Sequence, residues 1–153
     1  MPKLSPEEPI PPEASDRLLR RLLKKSTVSK ADVAALRASE LGLGVRSVAE
    51  AEMLFAIERK RSEKCREWGD LLVEFVADFA IWGERPTGTL SESRALWLSD
   101  QVGELPSPAC LALLIAVIDD AQDLPAWFVP AVRVRASKVF GAGRERTALQ
   151  QAA

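Results

Sequence analysis

Histidine and tyrosine are both absent from this chain. Without histidine the commonest general base is missing, and Ser-His or Cys-His catalysis is excluded in its usual form. Only two cysteines occur, Cys65 in a charged stretch and Cys110 in an apolar one. Neither has a cysteine or histidine near it, so no disulfide framework or zinc site is indicated. No G-x-x-x-x-G-K-[ST] or G-x-G-x-x-G stretch offers a phosphate-cradling loop. An excess of one charge is missing too, since 21 basic and 22 acidic residues leave a net charge of -1. Nucleic acid is therefore an unfavoured partner, because binding to a polyanion draws on an excess of Lys and Arg. The longest apolar run, Ala109 to Ile118, falls short of the ~18 residues that suggest a membrane span. Met1-Pro2-Lys3-Leu4 carries no hydrophobic signal core, and the expectation is a cytoplasmic protein.

What is present is a unit used twice. Ser29-Lys30-Ala31-Asp32 and Ser47-Val48-Ala49-Glu50 both have the capping-box form, a serine followed three residues later by an acid. Ser91 and Ser107, the latter before Pro108, take the same places further along. Ser29 to Ser91 is 62 residues, Ser47 to Ser107 is 60 and Trp68 to Trp127 is 59, an offset that shrinks only by amounts loops absorb. Leu36 then matches Leu98, and Leu54 to Ile57 matches Leu114 to Val117. The units run over 28–82 and 89–141, each a serine-capped helix, a second serine-capped helix and a third near a tryptophan.

Residues 1–15 hold five of the ten prolines and three glutamates, the composition of a flexible leader. Asp16 can cap Arg17 to Lys25, a short helix with leucines on one face and five cations on the other. Asp32 to Glu40 follows, ended by Gly42 and Gly44. The next helix runs from Val48, and a long one from Trp68 to Trp82 buries Leu71, Leu72, Phe75, Val76 and Phe79. Gly83 to Gly88 links the copies. Ala109 to Ile118, apolar on nearly every face, reads as the most buried helix. The last helix is expected from near Pro130, since an interior proline disrupts a helix, to Gly141, with 142–153 a frayed tail. No stretch alternates with a period of two, so the 16–141 body reads as an all-α bundle of about seven helices.

Two surfaces stand out. The cations Arg17, Arg20, Arg21, Lys24 and Lys25 could meet a partner groove, nucleic acid or an anionic membrane, or face water while the leucines join the core. Glu67, Asp70, Glu74 and Asp78, at i, i+3, i+7 and i+11, set four carboxylates along one side of one helix. That row could attract a hard cation, although a cation site needs converging ligands. It could equally be a solvated face, or pair with Arg133, Arg135 and Lys138 of the last helix. Asp119, Asp120 and Asp123 crowd a helix end whose dipole disfavours them. The four tryptophans read as core.

Gly88-Thr89-Leu90-Ser91, and Ser26-Thr27-Val28-Ser29-Lys30-Ala31-Asp32 before it, resemble the D-G-x-[IV]-[ST]-x-x-E signature of tellurite-resistance TerB-like helical domains. The resemblance covers about Arg17 to Gly141. It implies a domain of stress- or envelope-linked complexes in which paired acids bind a divalent metal. Here Lys25-Ser26 stands where the first Asp-Gly would be, and Arg94 takes the second acid's place, so no metal ligand is assigned. The expected function is a non-enzymatic protein–protein interaction module with no cofactor. A divalent-cation-binding domain and a peripheral membrane protein are the alternatives.

Overall fold

The computed structural model describes residues 15–152, with side chains through Gly141. Apart from Ser15, the leader expected over 1–15 lies outside the described residues. Among the described residues the architecture is an all-α bundle of seven α-helices: α1 (Ser15–Lys24), α2 (Lys30–Ala38), α3 (Val48–Arg59), α4 (Arg66–Trp82), α5 (Glu92–Val102), α6 (Pro108–Asp120) and α7 (Phe128–Ala152). A 3-10 turn, Glu40–Leu43, lies between α2 and α3.

All four serines chosen as caps are caps. Ser29 Oγ accepts from the Asp32 amide (3.2 Å) while Asp32 Oδ2 accepts from the Ser29 amide (2.9 Å), satisfying two orphan donors reciprocally. Ser47, Ser91 and Ser107 accept from Glu50, Arg94 and Cys110. Glu50 departs from the box by accepting from the Arg46 amide instead of Ser47.

Each half of the bundle is tied across its base by a short parallel backbone pairing. Thr27–Val28 (β1) pairs with Glu63–Lys64 (β2), and Thr89 forms an isolated parallel bridge with Asp123. Ser26 O accepts from the Glu63 amide at 3.2 Å, and Gly88 O accepts from the Gln122 amide at 2.7 Å. Strands of two residues are too short to show alternation in sequence, and the all-α class stands.

Several boundaries also move. Asp16 lies inside α1, paired with Arg20 one turn on (3.1 Å), and does not cap it. Helix α2 stops at Ala38, and the 3-10 turn takes over at Glu40. Helix α7 begins at Phe128, which puts Pro130 in its first turn, where the missing N–H has no intrahelical partner to lose. It runs past Gly141, where its end was expected, to Ala152, since residues 144–152 are mostly strong helix formers.

Helix α4 is the centre. It buries nine residues against five on α6, which leaves Ala112 and Ile115 exposed, so α4 and not α6 is the most buried helix. The two pack side by side. Gly69 approaches Ala109 near their starts, while Val73, Ala77 and Ala116 meet near their ends, so they run parallel.

Helix α1 is docked. Leu18, Leu19 and Leu22 are buried in the common core, and Lys60 Nζ donates to Leu23 O and Lys25 O at its C-terminus. Replacing Leu19 by Ala should therefore cost about 2–5 kcal/mol in denaturant unfolding. Arg20→Ala on the outer face should stay within about 0.5 kcal/mol. Equal, small effects would mean that α1 is not packed.

Candidate functional site

The acidic row lies on the outer flank of α4, with Asp70, Glu74 and Asp78 exposed and Glu67 partly covered. It splits into two environments. Glu67 and Asp70 share a shallow depression with Lys30 and Arg37 of α2, and Glu74 Oε2 is 2.9 Å from Arg37 Nη1. Among the described residues no pairing with the last helix is observed. Arg135 donates to Gly103 O (2.9 Å) and Ala131 O (3.2 Å), and Lys138 pairs with Glu104 (2.9 Å).

Further along, Glu74 and Asp78 face an open cleft of about 440 Å³. The 3-10 turn contributes Gly42 and Leu43 to it, with Gly44 following; α6 contributes Ala116 and Asp120; Phe75 and Trp82 come from α4 itself. The turn can sit there because Gly42 lacks a Cβ, which would lie 2.0 Å from Arg37 O, and because Gly44 takes φ +112°. Leu43 is 76% exposed and Trp82 49%. Asp78 and Asp120 make no hydrogen bond or ion pair among the described residues. Since α4 and α6 are parallel, both helices end here, and their partial negative charges add to the carboxylates. The cleft is thus apolar at its edge, and the charged side chains that line it are all acidic, which suits a cationic segment with a bulky apolar side chain.

The half-exposed Trp82 corrects the placing of all four tryptophans in the core. It follows Phe75 by seven residues on the same side of α4, so periodicity puts it inside, but it occupies the last position of the helix, at the open end of the bundle. The other indoles are held, as Trp68 Nε1 donates to Glu58 (3.3 Å), Trp97 to Glu52 (3.0 Å) and Trp127 to Glu92 (2.9 Å). Neither Leu43 nor its turn was singled out by the sequence, where two glycines read only as a helix stop.

The basic row is less open than it reads. Arg17, Arg20, Arg21 and Lys24 are exposed, whereas Lys25 is partly buried and sits 2.7 Å from Asp32. Burial pushes the Asp32 carboxyl up, but the Lys25 ammonium and the Ser29 amide and hydroxyl outweigh it and hold the group below its ordinary value. Asp32 is thus committed to a cap and an ion pair, and Arg94 stacks 4.2 Å from the Phe79 ring while pairing with Glu84 at 3.2 Å. Asp32 and Arg94 thus both serve the fold. Among the described residues, no three Asp, Glu or Cys side chains stand together as a metal cluster. Asp123 is used locally, its carbonyl accepting from the Leu90 amide (3.0 Å).

Comparison with known proteins adds no relative: no family model, curated protein or solved structure matches the chain. No helix among the described residues is long and apolar enough to cross a membrane.

Two titratable groups lie deeper. Burial pushes the Cys110 thiol up, the opposite of an activated nucleophile. Burial likewise raises Glu58, against the opposing pull of the Trp68 indole and Lys64. A raised carboxyl means that the folded state holds its proton more tightly. The resulting stability is present below the usual glutamate value of 4.5 and is lost as pH rises through the folded value. Between about pH 4 and about pH 7, Glu58→Gln should gain stability relative to the parent chain as pH increases, measured by urea unfolding. A relative loss would contradict this assignment.

Proposed function

We propose that the chain is a non-enzymatic, cytoplasmic interaction module that receives a polypeptide segment in the cleft between the 3-10 turn, α4 and α6. One observation supports this reading most: the half-exposed Trp82 and the exposed Leu43 flank Asp78 and Asp120, carboxylates with no partner of their own among the described residues. Apolar anchors set in one sign of charge are a recognition surface, whereas the rest of the acidic row is partly answered by Arg37. The cations of α1 are a weaker candidate, because its leucines are committed to the core and would have to leave it to enter a bilayer.

A photo-crosslinking residue placed at Leu43 in source cells tests the reading directly. A discrete protein adduct from position 43, absent in the Asp78→Arg background and absent from the same probe at Arg20, is the expected result. Adducts only from position 20 would move recognition to α1 and contradict the cleft.

A further inference from the structure

Helix α7 leaves the body at the end opposite the cleft. Arg135 and Lys138 reach Gly103 and Glu104, which precede the start of α6, so α7 runs antiparallel to α6 and its distal half points away from Trp82 and Asp120. Residues 133–146 carry Arg133, Arg135, Lys138, Arg144 and Arg146 against the single acid Glu145. Arg133, Ser137 and Phe140 are four and seven residues apart on one side of the helix, and Arg144 follows one turn later in sequence. Phe140 is 63% exposed, and Arg133 is exposed with no ion pair among the described residues. One end of the molecule thus presents an aromatic residue on a cationic helix, and the other an aromatic-rimmed acidic cleft.

We propose that a second copy of this chain occupies the cleft: the cationic side of α7 from one copy seats between the 3-10 turn and α6 of the next. Phe140 lies against Trp82 and Leu43, and Arg133 is set to face Asp78 and Asp120. This rests on the interaction-module reading and names its partner. Because a continuous α7 is directed away from its own cleft, the contact is intermolecular. It joins different surfaces of the two copies, so it extends into a ring or a short open chain instead of closing as an isologous dimer.

Sedimentation velocity on the full-length chain tests this. At about 50 mM salt the average mass should exceed that of the monomer and rise with concentration, and at about 500 mM it should fall back. Asp78→Arg and Phe140→Ala, both at exposed positions, should each weaken association by on the order of tenfold or more. Mixing Asp78→Arg with Phe140→Ala brings together one intact tail and one intact cleft, and should restore a heterodimer that grows no further. A chain that stays monomeric under all these conditions, or associates equally well with Asp78→Arg and Phe140→Ala, overturns the proposal. If a monomeric chain still gives an Asp78-dependent crosslink from position 43 to a foreign protein, self-docking alone fails. If that crosslink is also missing, the interaction-module reading fails with it.

Discussion

The parallel packing of α4 against α6 is the constraint on which the rest depends. Leu71, Leu72 and Val76 of α4 share one core with Leu113, Leu114 and Val117 of α6. Two helices from different halves of the bundle can run parallel only if the chain returns between them, and α5 with its flanking loops makes that return. Side by side, their dipoles place two negative ends together, an arrangement that stabilises nothing by itself. Its consequence is an electronegative end of the bundle, and the carboxylates of Asp78, Asp119 and Asp120 strengthen it. The open cleft lies at that end.

The remaining elements fix the edges of this centre. Capped serines start α2, α3, α5 and α6, so those helix positions follow from side chains a reader can find. The parallel pairings at Thr27–Glu63 and Thr89–Asp123 close each half of the bundle at its base. Lys60 draws the end of α1 onto the body through two carbonyls, which explains why a short, highly charged helix stays docked. Arg94, covering Phe79 and Trp97, seals the junction near Glu84.

Much of this fold was legible because it is local. Serine caps, the apolar stripe of α4 and the offset between copies are carried by neighbours in sequence, and they led to an all-α bundle of seven helices. Long-range effects were not legible. Ala109 to Ile118 reads as the most buried helix, yet the bundle leaves Ile115 at the surface. The acidic row was visible as a row, but its division depended on Arg37 reaching Glu74 while nothing among the described residues reached Asp78. Trp82 read as core with the other tryptophans, and only the position where the neighbouring helices stop turns it outward. Leu43 became an anchor through a 3-10 turn that Gly42 and Gly44 permit, and nothing in the surrounding pattern announces it.

Trp82 offers the most direct measurement, because its indole N–H is the one that no glutamate holds among the described residues. In a nitrogen-15 spectrum of the full-length chain, a short helical peptide carrying phenylalanine between two arginines would be added stepwise. If the cleft is the docking site, the Trp82 indole and the Leu43 and Asp78 amides move together and saturate, while the indoles bonded to Glu52, Glu58 and Glu92 stay in place. If Trp82 does not move, or the shifts gather on α1, the cleft is not where this protein receives its partner.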